Sequence, residues 1–169
     1  PLVSSYDAAL FDLDGVIYLG PNAIDGVAGS LAQLRERGIR LGFVTNNAAR
    51  TPTAVAEHLR ELGIRADDSD VVNSTQAMVR VLRKELPTRA KVLVVGTDAL
   101  ASQLADGGFV PVSTLEENPV AVVQGYHPQL PWDLLELGAI AIQKGAAWYA
   151  TNPDQTRPTE RGILPGCGA

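Results

Sequence analysis

The sequence predicts an α/β protein: part of a parallel-sheet core followed by a second α/β unit. Three observations predict it. Short apolar runs alternate with segments of helical period, the pattern of parallel strands covered by crossover helices. Glycines stand where the helical segments stop, at Gly38 and Gly63. A polar stretch, residues 65–70, separates two such alternations. The 169 residues are 46% hydrophobic and 20% charged, which suits a folded chain able to bury a core without covalent staples.

Residues 8–13 read as a buried strand. Ile24, Val27, Leu31 and Leu34 then recur at helical spacing. Residues 40–44 are a second strand. Thr51 suits a helix N-cap and Pro52 the first helical position; Val55, Leu59 and Leu62 give that helix its buried stripe. After the polar link, Asn73 or Ser74 caps a helix carrying Met78, Leu82 and Leu86. Residues 91–96 are a strand, and Asp98 caps a helix with Leu100 and Leu104. Residues 109–112 and 121–124 are further strands. Pro131 opens a helix running to about Lys144, and residues 148–151 form the last strand. The tail, residues 152–169, is rich in Pro and Gly and reads as loop. The expected domains are residues 1–70 and residues 71–169.

Composition narrows the function classes. The single cysteine, Cys167, excludes a disulfide framework and a zinc-finger scaffold. A net charge of -5 leaves no basic footprint, so nucleic acid is not an expected partner. No apolar run approaches the roughly 20 residues of a membrane span, and no basic start marks a signal peptide. No membrane partner and a cytoplasmic location are therefore expected. The chain opens at Pro1 rather than methionine, so a processed or trimmed start is expected as well.

The densest chemical signal is Phe11-Asp12-Leu13-Asp14-Gly15-Val16-Ile17-Tyr18. An apolar strand runs into two aspartates at i and i+2. Ligands of open α/β sheets sit beyond the carboxyl ends of the strands. Carboxylates there suit a hard cation such as Mg²⁺. One carboxylate can also act as a nucleophile and a neighbour as general acid and base. A competing reading is open, because Asp-Gly between apolar runs is a hairpin signal. An EF-hand is excluded by Val16 and Ala23, which stand where acidic ligands belong.

The second strand end is Val44-Thr45-Asn46-Asn47. Its hydroxyl and amides can bind phosphate oxygens without adding charge. They can equally cap and turn the chain before Pro52. The two signals lie one βαβ unit apart, as two neighbouring parallel strands require.

These residues resemble the haloacid dehalogenase (HAD) superfamily of phosphatases, most closely its nitrophenylphosphatase-like branch, subfamily IIA. Asp12-Leu13-Asp14-Gly15-Val16-Ile17-Tyr18 matches the first family motif and Val44-Thr45-Asn46-Asn47 the second. Ala150-Thr151-Asn152-Pro153-Asp154, followed by Leu164-Pro165-Gly166-Cys167-Gly168-Ala169, resembles the end of the branch's inserted cap. The resemblance implies a HAD-like Rossmannoid core with an α/β cap. It implies Asp12 as nucleophile and Mg²⁺ ligand, and Asp14 as general acid/base and Mg²⁺ ligand through its carbonyl. It implies Thr45 as a hydrogen-bond partner of the transferring phosphoryl group, with Asn46 and Asn47 on the substrate side. The loop of residues 152–157 would face the active site, with Arg157 as a substrate-reading side chain. The implied substrate is a small phosphorylated metabolite, glycerol phosphate first. The resemblance also implies a homodimer surface on the cap.

Two later family motifs have no match. One supplies a lysine and the other a further acidic ligand. The only lysines, Lys84, Lys91 and Lys144, fall in the cap region. The chain is therefore expected to be a fragment of a longer phosphatase, with a half-core that leaves apolar faces needing cover. The alternative is a non-catalytic phosphate-binding or scaffold protein. Among the remaining features, the segment at Gly96 is expected to be a plain β–α turn, His58 solvated, His127 a loop residue, and Trp132, Trp148, Tyr126 and Tyr149 part of the cap core.

Overall fold

The computed structural model describes residues 2–159 and 162–169. The architecture is α/β with parallel sheets, as the alternation of elements predicts. The chain forms two compact units. The first takes Pro1–Thr45, Pro52–Asn73 and Thr159–Gly162; the second takes Asn46–Thr51, Ser74–Pro158 and Ile163–Ala169.

The first unit contains strands β1 (Ala8–Asp12), β2 (Tyr18–Leu19) and β3 (Asn22–Ala23), helix α1 (Val27–Glu36), strand β4 (Arg40–Thr45), helix α2 (Pro52–Glu61) and strand β5 (Val71–Asn73). β1, β4 and β5 form a parallel sheet in that order. Side chains alternate across it. Leu41, Phe43 and Val71 are buried with Leu31 of α1 and Val55 and Leu59 of α2. The other face carries Leu10, 75% exposed, with Val44 and Val72. Gly42 pairs with Leu10 in the register, and a Cβ there would meet the Leu10 side chain at 2.6 Å. Leu10 thus lies across its glycine neighbour on an open face.

The polar stretch 65–70 leads into β5, a strand too short and too close to charged residues to stand out in the sequence. The stretch is pinned by Arg60, which donates to the Ala66 carbonyl at 2.7 Å, and by an Arg35–Asp70 ion pair at 3.5 Å. His58 is half-buried, not solvated. Its ring packs edge-on against Tyr18 with centroids 5.0 Å apart.

The second unit contains α3 (Ser74–Glu85), β6 (Lys91–Val95), α4 (Asp98–Asp106), β7 (Val110–Val112), β8 (Ala121–Gln124), α5 (Trp132–Gln143) and β9 (Ala147–Ala150), with all of β10 (Thr156–Thr159) and β11 (Gly162–Pro165) but the end residues Thr159 and Gly162. Its parallel sheet has the order β7-β6-β8-β9. Both faces are covered. Val92, Val94, Ala121 and Val123 pack with α3 and α4. Leu93, Val95 and Val122 pack with α5. Strands buried on both faces read as continuous apolar runs, which is why β6 and β8 are plain in the sequence.

Four local expectations are corrected. Thr97, not Asp98, caps α4: its Oγ1 accepts the Leu100 N–H, and Asp98 is the first helical residue. The tail is not all loop, since β10 and β11 form a two-stranded sheet. Trp132 and Trp148 are 73% and 59% exposed, not core. Trp132 opens α5, where no layer covers it, and Trp148 lies on the edge strand β9.

Candidate active site

β1 carries Asp12 to the carboxyl end of the first sheet. Its register partner is Val44, so Thr45 ends the neighbouring strand one residue further on. Thr45 in turn pairs with Asn73 of β5. Asp12 shares the open face with Leu10 and is exposed; Thr45 shares the helix-covered face and is buried. The Asp12 carboxylate has no hydrogen bond or ion pair among the described residues.

Asp14 stands in a tight turn after Leu13. The Leu13 carbonyl accepts the N–H groups of Val16, Ile17 and Tyr18 at 3.2, 2.9 and 3.3 Å. Gly15 donates its N–H to the Tyr18 carbonyl at 2.8 Å and has φ +81°, a conformation that favours glycine. This is not the hairpin that Asp-Gly suggests. β1 pairs in parallel with β4, and the antiparallel pair is β2 with β3, turned at Gly20-Pro21. The turn folds Leu13 and Ile17 into the core and leaves Asp14 exposed.

Asn46, Asn47 and Arg157 fall in the second unit. The Asn46 side-chain amide donates to the Asp154 carboxylate at 2.7 Å. The Ser74 hydroxyl donates to the Asn46 carbonyl at 2.9 Å. Asn47 turns its side-chain oxygen to the Ala49 N–H at 2.8 Å, a side-chain turn of the kind the capping alternative describes. Arg157 donates from Nη2 to the Tyr126 hydroxyl at 2.7 Å, and its guanidinium stands 4.6 Å over the Tyr126 ring. The Arg157 Nε is buried with no hydrogen-bond partner, and among the described residues no carboxylate pairs with Arg157.

Three features escaped the sequence reading: the Asn46–Asp154 bond, the Ser74–Asn46 bond and the Tyr126 support of Arg157. Only Asp154 had a signal, its place in Thr151-Asn152-Pro153-Asp154. Cys167 is buried, and burial pushes its thiol up. It stays a neutral thiol and a poor nucleophile. His127 serves its own loop, accepting the Gln129 N–H at 3.0 Å.

The donor set at the end of β1 is oxygen alone, as a hard cation prefers. Among the described residues no group of three acidic, histidine or cysteine side chains forms a complete metal shell. Asp12 and the Asp14 turn therefore fit part of a Mg²⁺ site, and Mg²⁺ commonly takes only one or two carboxylates with waters.

A family model described as haloacid dehalogenase-like hydrolase matches residues 9–110. The chain is 45% identical over 168 residues to the D-glycerol 3-phosphate phosphatase of Mycobacterium tuberculosis, covering 99% of this chain and 47% of that protein. It is 36% identical to an acid sugar phosphatase of Staphylococcus aureus, covering 99% of this chain and 63% of that one. A crystal structure of glycerol phosphate phosphatase from Mycobacterium tuberculosis in complex with magnesium superposes with a TM-score of 0.91 at 46% identity, over 98% of this chain and 50% of that one. The chain thus spans between about half and two thirds of the length of these relatives.

Proposed function

The chain belongs to the haloacid dehalogenase-like hydrolases, and on that premise we propose that it is part of a Mg²⁺-dependent phosphatase for small phosphate monoesters. In this reading residues 1–70 begin the catalytic core and the cap follows, β5 (Val71–Asn73) being the last strand of the core sheet before it. Support for a longer protein comes from the open face at Leu10, Val44 and Val72. It also comes from the length of the relatives. Glycerol phosphate is the proposed substrate, supported by the names of the relatives. A homodimer through the cap is proposed with it. Among the described residues no helix is long and apolar enough to cross a membrane, and the proposed setting is the cytoplasm.

One observation carries the reading: an exposed, uncommitted carboxylate, Asp12, ends a parallel strand beside the strand that ends in Thr45. An Asp12 oxygen attacks phosphorus, and the bond from phosphorus to the ester oxygen breaks. Asp14 gives the departing alcohol its proton. Asp14 then takes a proton from water, whose oxygen attacks phosphorus and releases Asp12. Thr45 hydrogen-bonds the phosphoryl oxygens during both steps. Bound Mg²⁺ supplies charge neutralisation at those oxygens. Asn46 and Asn47 are proposed to line the substrate side and Arg157 to read the leaving group. For Arg157 the support is its guanidinium, held by Tyr126 and carrying a buried Nε without a partner.

The test is Mg²⁺-dependent phosphate release from a panel of small esters. Asp12→Asn is expected to cut turnover by at least about a thousandfold while leaving the fold intact, the scale seen when a nucleophile is removed. Turnover retained in that variant removes Asp12 as nucleophile. The second reading, a non-catalytic phosphate-binding or scaffold protein, draws on the incomplete acidic shell among the described residues. Binding of inorganic phosphate without turnover in the longest available form of the protein would favour it.

A further inference from the structure

The residue that holds Asn46 has no part in the reading so far. Asn46 is joined directly to Thr45, and two bonds fix it. Its backbone carbonyl accepts the Ser74 hydroxyl, and its side-chain N–H donates to the Asp154 carboxylate at 2.7 Å, across 108 residues of sequence. We propose that Asp154 is a positioning residue: it orients Asn46 and thereby fixes the peptide that follows Thr45. The inference rests on the reading of Thr45 as a phosphoryl-binding residue.

The chemistry of the pair sets the direction. An ionised carboxylate only accepts hydrogen bonds, so Asn46 must present nitrogen to it. That choice turns the Asn46 side-chain oxygen away from Asp154 and leaves it as the acceptor that Asn46 offers elsewhere. A bond to an ionised acceptor is also about twice as strong as a neutral one.

Asp154 is itself held from behind. Its N–H donates to the Asn152 side-chain oxygen at 2.7 Å, and its carbonyl accepts the Gly168 N–H at 2.8 Å. Gly166 donates to the Gln155 carbonyl at 2.8 Å. Neither glycine can carry a side chain: a Cβ at Gly166 would overlap the Asp154 carbonyl oxygen, and one at Gly168 that of Pro153. Cys167 between them is tied to the sheet, its carbonyl accepting the Gln124 side-chain amide at 3.1 Å. The brace therefore runs from β8 through Cys167 and Gly168 to Asp154, and from there to Asn46. Phosphoryl transfer depends mainly on positioning, and a misplacement of about 1 Å can cost on the order of a hundredfold.

The test combines a spectrum with kinetics. In this chain the side-chain amide of Asn46 is assigned by ¹H–¹⁵N correlation, with Asn46→Ser identifying the signal. Asp154→Ala is expected to shift that signal and speed its hydrogen exchange. Asp154→Asn keeps an acceptor oxygen and is expected to move it less. Phosphate release from glycerol 3-phosphate with Mg²⁺ is then compared among the same variants made in the protein extended to the length of its relatives. Asp154→Ala is expected to lower kcat by roughly 10- to 100-fold with KM changed less than about threefold, and Asp154→Asn to recover most of the loss. A residue that only stabilises the fold would lower the melting temperature without this split. An Asn46 signal indifferent to Asp154→Ala overturns the proposal. So does a kcat within about twofold of the parent in that variant. A parent of the relatives' length that releases no phosphate counts against the phosphatase reading; the amide spectrum alone then decides whether Asp154 holds Asn46.

Discussion

The two parallel sheets are built from similar strands but are covered differently. The sheet of β6, β7, β8 and β9 has helices on both faces, and Val92 to Val95 are all buried. The sheet of β1, β4 and β5 has helices on one face, and its other face shows Leu10, Val44 and Val72 to solvent. An all-parallel sheet is ordinarily buried on both sides. The second sheet is thus a finished layer, whereas the first has one face whose residues suit a layer that the described residues do not provide. The proposed chemistry sits on the unfinished sheet, at Asp12 and Thr45. The brace that ends on Asn46 starts from the finished one.

The largest expected effect comes from cutting into a covered face. Leu93→Ala should cost about 2–5 kcal/mol by urea unfolding followed by circular dichroism, since Leu93 is fully buried against α5. Next comes the cap of α4. Thr97→Ala removes the acceptor of the Leu100 N–H and should cost about 1 kcal/mol in the same measurement. The smallest effect is expected at the open face, where Leu10→Lys should change the stability of this chain by no more than about 0.5 kcal/mol and raise its solubility. A cost at Leu10 near that of Leu93 would end the comparison, because it would mean that the face is covered in solution. The comparison sharpens if Leu10→Lys is tolerated here and destabilises a protein extended to the length of its relatives.

The finished sheet was the more legible in the sequence. β6 and β8 are unbroken apolar runs bounded by turn residues, and α3 carries its apolar side chains at helical spacing. Asp12 and Thr45 were legible for a related reason: each polar group ends an apolar strand abruptly. β5 was not, because Val71–Asn73 follows three acidic residues within four positions and is too short to show alternation. The β10–β11 pair was hidden by its Pro and Gly content. Trp132 and Trp148 misled because size argues for burial, while their positions at a helix start and on an edge strand do not supply it. The bond between Asn46 and Asp154 could not be read from local pattern at all, since nothing in either segment specifies a partner 108 residues away.

Ala48 has a bearing on how such proteins can be cut and recombined. It lies before α2, yet it is 2% exposed within the core of the second unit, beside Gly125. A transplant of that unit with its border at Ser74 would leave behind the hexapeptide Asn46–Thr51 and carry a methyl-sized hole. It would also lose the carbonyl that Ser74 binds. The workable exchange boundary is therefore discontinuous. Chimeras that move residues 46–51 together with the later segment should be recovered more often than those joined at a single crossover.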